Sequence, residues 1–182
     1  MVEYIDVINE DGSPAGYSLP RSEIHSKGMW HRVVHVWLVD TEGNLLIQQR
    51  SANKESFASY WDISCAGHIE AGMNSIDTAI KELDEELGLH ITDASKLEYL
   101  FTYNELADVY LYTFSKHMEL SEFKLQEEEV QALKWLHYTK LFEMVSRNDP
   151  TFVPLKREDQ TYEFCDYKKF FETLEKKFPC AN

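Results

Sequence analysis

Basic residues are scarce in this chain: 18 Lys and Arg stand against 32 Asp and Glu, a formal charge of −14. A surface so acidic repels a nucleic-acid backbone, which sets aside proteins that read DNA or RNA. It also repels a small phosphorylated molecule unless divalent cations bridge carboxylates and phosphate oxygens, so phosphate chemistry here would require metal. Cysteine is scarce too. Cys65, Cys165 and Cys180 make no CxxC pair and no Cys/His zinc spacing, and the odd count fits a reducing compartment. The chain does not open on a basic start followed by a long apolar run. No stretch approaches the roughly 20 apolar residues of a membrane span. A soluble, cytoplasmic protein away from membranes is expected. Low-complexity segments and internal repeats are lacking as well.

What is present suits a globular fold. Hydrophobic residues at 43% and aromatics at 13% can fill a sizeable core, and 182 residues fit one domain spanning 1–182. Strands are expected at 4–8, 33–39, 45–49, 61–66, 97–105, 108–114 and 132–137, from their apolar and aromatic runs. Turn-forming residues at 9–14 close the first strand, and 40–43 reads as a hairpin turn with Gly43 supplying the conformation. The stretch 18–30 reads as polar and irregular. Helices are expected at 75–87, 139–147 and about 166–178. This order argues for a mixed sheet flanked by helices.

The helix at 75–87 carries the chemistry. Ile76, Ala79, Ile80, Leu83 and Leu87 recur at helical spacing as one apolar stripe. Asn74 can cap its start, with Asp77 three residues on, and Gly88 can end it. At ~100° per residue, Glu82, Glu85 and Glu86 share an arc beside that stripe. Like charges so placed cost a few tenths of a kcal/mol per pair. Either the arc is a solvated acidic face or it is an oxygen-rich site for a hard cation such as Mg²⁺. Helix geometry alone leaves both open.

The flanking sequence shifts the balance. Residues 67–89 read GHIEAGMNSIDTAIKELDEELGL. This resembles the Nudix box, Gly-x5-Glu-x7-Arg-Glu-U-x-Glu-Glu-x-Gly-U, where U is a bulky aliphatic. Gly67, Glu82, Leu83, Glu85, Glu86, Gly88 and Leu89 fall on their places. The resemblance implies an α/β/α sandwich of the α+β kind, with a mixed β-sheet and a loop-helix-loop catalytic motif; its core would span about 30–155. It implies a small-molecule substrate in which a diphosphate is linked to another moiety, and water attack on phosphorus assisted by Mg²⁺ or Mn²⁺. Glu82, Glu85 and Glu86 would hold the metal with the carbonyl of Gly67 or Ala66. Two places depart from the pattern: Met73 replaces the first Glu, and Lys81 replaces the Arg. In the family those two side chains pair to brace the loop against the helix. Glu70, three residues before Met73, offers to replace part of that carboxylate function.

His25, His31, His35 and His68 cluster in sequence around the strands that lead to the box. Lone histidines are usually surface or core residues, and His35 is read that way. The wider segment 25–72 resembles the Nudix branch that contains type I isopentenyl-diphosphate isomerases and their hydrolase relatives, a likeness covering about 4–155. An isomerase of that branch needs a cysteine just before the Gly-His pair, a glutamate opposite and an aromatic facing the carbocation. Here Ala66 precedes Gly67 and His68, Glu105 matches the glutamate, and Leu155 stands at the aromatic's place. Cys65 lies one residue early and is expected to point to the opposite side of its strand. His31, His68 and Glu105 match metal-ligand places of the branch, and Tyr103 replaces a further glutamate. Arg50 and Lys54 match bases that grip a diphosphate, with Arg21 assisting. Glu129 is a candidate general base, as are Glu82 and Glu86. Trp30, Trp37 and Phe57 can stack on a base, though aromatics are more often core. The expectation is a metal-dependent pyrophosphohydrolase acting on a nucleoside diphosphate or another organic diphosphate, with no nucleic-acid polymer as partner and a homodimer as one open assembly. The alternatives are an isomerase and a non-catalytic diphosphate-binding module.

Overall fold

The computed structural model describes residues 2–103, 106–155 and 167–179. The chain opens with an antiparallel hairpin, β1 (Tyr4–Ile8) and β2 (Pro14–Pro20), followed by a short helix α1 (Arg21–Lys27). β3 (Val33–Val39), β4 (Asn44–Arg50), β5 (Trp61–Asp62) and β6 (Cys65–His68) come next, then α2 (Ser75–Leu87). β7 (Leu97–Tyr103), β8 (Ala107–Thr113), β9 (Val130–His137), α3 (Tyr138–Ser146) and α4 (Tyr167–Lys177) complete the order. Strands β3 to β9 build a seven-stranded sheet in which β3 and β8 run parallel and the other pairs antiparallel.

Each face of that sheet carries its own core. Val34, Val36, Leu38 and Leu46 pack under Ala79, Leu83 and Leu87 of α2. On the other face, Trp37, Val39, Ile47, Val109 and Leu111 meet Leu141 and Val145 of α3 and Tyr167, Phe170 and Leu174 of α4. The alternation of strand side chains between the two faces makes both helical layers necessary, and the result is an α/β/α sandwich. No helix of the described residues is long and apolar enough to cross a membrane.

The parting of β3 from β4 positions the site. β3 and β4 pair only at Leu38–Leu46 and Val39–Leu45, and then part. Beyond the fork β6 continues on β3, and β5 continues on β4. Ser64, fully buried, sits at the fork: its hydroxyl accepts from the Leu38 amide at 2.8 Å and donates to the Leu46 carbonyl at 2.5 Å. It supplies partners to backbone groups that the parting strands leave without a ladder.

Two expectations change. The stretch 61–66 is not one strand but two short pieces, because Ser64 leaves the ladder to plug the fork. Residues 18–30 are not irregular: β2 ends and α1 begins there, closed by Gly28 in the left-handed conformation. Ile24 is the buried residue of that seven-residue helix, so no apolar period was there to read.

Candidate functional site

α2 forms as its sequence dictates. The Asn74 side chain accepts from the Asp77 amide at 2.9 Å and donates to the Asp77 carboxylate at 2.7 Å, and Gly88 ends the helix at φ 62. Burying Ala79, Leu83 and Leu87 fixes the helix rotation, and that rotation separates the three glutamates. Glu86 is buried in the sheet fork, where it accepts from Gln48 Nε2 of β4 at 3.1 Å. Glu82 rests against β6 so closely that a Cβ at Gly67 would stand 2.3 Å from its carboxyl carbon. A side chain at that point would displace the Glu82 carboxylate. Glu85 turns outward, its side chain 51% exposed.

Burial is the main force on these acids. It raises Glu86 to about 8 and Glu82 to about 7, with neighbouring carboxylates adding to both and Lys81 pulling Glu82 back down. The Cys65 thiol, buried and raised well above its ordinary value by desolvation, donates a hydrogen bond to Glu86. Two carboxylates raised by burial, each raised further by neighbouring acidic charge, are what a divalent cation would relieve, and their oxygens suit Mg²⁺ or Mn²⁺. Glu82 and Glu86 fit a divalent cation as oxygen ligands, whereas the three glutamates together do not bring their carboxylate oxygens within 4.8 Å of one another.

Lys81 joins this acidic group to the preceding loop. Its ammonium lies 2.9 Å from Glu85 Oε2, 3.1 Å from Glu70 Oε1 and 3.7 Å from Glu82 Oε1, and these carboxylates raise its pKa despite partial burial.

A second donor group adjoins the first through β6. His68 follows Gly67 in the chain, and it meets His31 and His25 so that one ligand nitrogen from each lies within 4.8 Å of the others. His25 Nε2 and His68 Nε2 are 3.1 Å apart. His31 Nδ1 is 2.9 Å from the Met29 carbonyl, which can only accept, so Nδ1 is the donor there and Nε2 is the nitrogen left for a ligand. Burial, then Arg21 and the other two imidazoles, push His68 down to about 3; His25 is lowered mainly by burial. Neutral imidazoles at this spacing are nitrogen ligands for a transition-metal ion. The structure brings together His31 and His68, the two that the sequence singled out. The part of His25 was not legible there, since it depends on α1.

The bases expected to grip a diphosphate are each held by an acid. Arg50 pairs with buried Asp62 at 3.1 Å, Lys54 with Glu129, and Arg21 with Glu3 at 3.6 Å. Glu129 is half-buried, and its charge reaches both Glu82 and Glu86; Glu127 and Glu128 are exposed in the turn before it. Glu105 lies outside the described residues.

Strand alternation turns Ala66 toward the α3 and α4 face and Cys65 toward α2, so Cys65 abuts Glu86 rather than standing clear of the carboxylates. His35 is a core residue: Nδ1 meets the Tyr167 hydroxyl at 2.7 Å, and burial lowers it to about 4. Tyr103 packs against that same pair. Trp37 and Leu155 are core as well, while Trp30 and Phe57 are exposed. Two hollows, about 440 Å³ beside Phe57, Met144 and Phe152 and about 670 Å³ beside Asp6, Arg32 and Asn74, are lined by neither Glu82 nor Glu86.

The NUDIX domain model matches residues 29–156. Nudix hydrolase 3 of Arabidopsis thaliana is 42% identical over 165 residues, 84% of this chain but 21% of that much longer protein. An uncharacterized Nudix hydrolase of Listeria innocua is 36% identical across 89% of this chain and 95% of its own length. Isopentenyl-diphosphate Delta-isomerase 2 of Photorhabdus laumondii is 30% identical across 80% of this chain and 84% of its own length. The crystal structure of DR0079 from Deinococcus radiodurans shares the fold at 19% identity, with a TM-score of 0.67 over 97% of this chain and 99% of that one. A box helix in register, the sheet fork beneath it and these matches together place the chain in the Nudix family, among its hydrolases.

Proposed function

We propose that this chain is a metal-dependent pyrophosphohydrolase that cleaves the diphosphate linkage of a nucleoside diphosphate or another organic diphosphate. The observation that carries the reading is the pairing of half-buried Glu82, against Gly67, with buried Glu86, against Gln48, each held well above its ordinary pKa. Mg²⁺ or Mn²⁺ held by Glu82, Glu85 and Glu86, with the Gly67 carbonyl, would neutralise the diphosphate and make water a better nucleophile. The histidines His25, His31 and His68 offer a second, nitrogen-rich place for a metal. Arg50, Lys54 and Arg21 hold non-bridging oxygens, exchanging their present acidic partners for the substrate. Releasing Lys54 frees the Glu129 carboxylate beside Glu82 and Glu86, which makes it our choice for the proton acceptor. The setting we assign is cytoplasmic, with a small molecule as partner.

Glu86→Gln keeps the size of the side chain and its contact with Gln48 while removing the charge. Turnover on a panel of diphosphates, followed at saturating Mg²⁺, should fall by about two orders of magnitude or more, since a carboxylate charge that would hold the cation is lost. Near-normal turnover refutes the assignment. The histidine triad is the observation that favours the isomerase instead. Against it, Ala66 puts no thiol on the α3 and α4 face of β6. Incubation with isopentenyl diphosphate separates the two, because formation of the dimethylallyl isomer requires the second reading. A binding module would release no phosphate at any Mg²⁺ concentration.

A further inference from the structure

We propose that Glu70 and Lys81, anchored by the N-terminal hairpin, form the brace that holds the α2 carboxylates in place for a cation; the inference rests on the hydrolase reading above. Met73 offers the helix no charge, yet the loop that contains it is tied down. Glu70 bridges Ile5 of β1 in antiparallel fashion, the Ala71 amide donates to the Tyr4 carbonyl at 2.8 Å, and the Gly72 amide donates to Asp6 Oδ2 at 3.1 Å. The loop is thereby annexed to the edge of β1. The Met73 amide closes the turn onto the Glu70 carbonyl at 2.9 Å, which fixes where the Glu70 side chain leaves the backbone.

From that fixed point the Glu70 carboxylate meets the Lys81 ammonium, and the ammonium spans on to Glu85 and Glu82. The path runs from β1 through Glu70 and Lys81 to two of the three carboxylates expected to bind metal. Both side chains are about one-third exposed, so solvent screens the pairs only in part. Neither residue is assigned a place against substrate, so they are positioning residues. An ammonium on a four-carbon stem can serve three carboxylates at once because it has three donors and no fixed plane. The same hairpin reaches the histidines: Val7 bridges His31, and the Ile8 amide donates to Trp30. Residues that precede the box therefore hold both donor groups.

The test uses Glu70→Gln, Lys81→Gln and the double variant of the full chain. Mn²⁺ binding is followed by electron paramagnetic resonance without substrate, beside thermal melting of the metal-free proteins. Each single variant should weaken Mn²⁺ binding about tenfold, as loss of outer-shell support does, with melting within a few degrees of the parent. The double variant should be no weaker than either single one, since both break one path. Tighter binding by Lys81→Gln would mean that the ammonium merely competes with the cation, and it would overturn the brace. Additive losses, or unchanged affinity in Glu70→Gln, would overturn it equally. If Lys81→Gln does not fold, Glu70→Gln alone decides by the same affinity measurement. A parent without Mg²⁺-dependent hydrolysis would sink the hydrolase reading and leave this binding measurement intact.

Discussion

Glu82 and Glu86 hold protons in the folded protein that the unfolded chain has already released, because burial raises both from 4.5 toward neutrality. A carboxylate raised in this direction stabilises the fold at low pH and ceases to do so as pH climbs through its folded value. His35 and His68 work in the opposite sense: lowered from 6.5, they favour folding above that value and oppose it as pH falls. The two effects separate in range. Between about pH 6.5 and 8 the histidine contribution is complete, so metal-free melting temperature should fall there through the carboxylates alone. Saturating Mg²⁺ or Mn²⁺ should remove that fall, since the cation replaces the protons, and its stabilising effect should be larger at the upper end. A melting curve flat with pH in the metal-free protein, or a metal effect independent of pH, would separate these residues from cation binding. The acidic arc was legible from the sequence because its spacing is fixed by the helix. The unequal burial of Glu82, Glu86 and Glu85 was not, because it depends on how far the sheet fork opens.

Elements were legible where the signal was periodic and capped. Asn74, the apolar stripe and Gly88 gave the bounds of α2, which the structure keeps at Ser75–Leu87. The seven residues of α1 bury one side chain, too few to show a period, and with α1 the role of His25 was hidden. The break between β5 and β6 was hidden for another reason. Ser64 looks like any polar residue in a strand, but its hydroxyl serves the Leu38 amide and the Leu46 carbonyl where β3 and β4 part. Ser64→Ala leaves both groups buried without a partner and should cost about 1–3 kcal/mol, read from chemical denaturation. Because the fork also seats Gln48 against Glu86, metal affinity should weaken in the same variant. A stability change below about 0.5 kcal/mol would mean that water or a strand shift replaces the hydroxyl, and that Ser64 does not set the fork.

At the scale of the whole molecule the sandwich follows from strands with two apolar faces, each needing a helical cover, and that much the sequence order already implied. The identity of the substrate was out of reach there, since the bases at Arg21, Arg50 and Lys54 sit in loops and ends whose placement only the fold decides. The charge of −14 acts on both ligands of the proposed reaction, and with opposite sign. It draws divalent cations inward and repels a free diphosphate. Salt shortens the reach of that field, from about 30 Å at 0.01 M ionic strength to about 8 Å at 0.15 M. Raising ionic strength across this range should therefore weaken Mn²⁺ binding in the absence of substrate. With metal kept saturating, the same change should lower the KM for a diphosphate that carries net negative charge, because screening relaxes the repulsion it meets on approach. The opposed slopes are the discriminating feature. If both constants moved together, local pairing at the carboxylates and bases would govern binding, and the acidity of the surface as a whole would have no part in it.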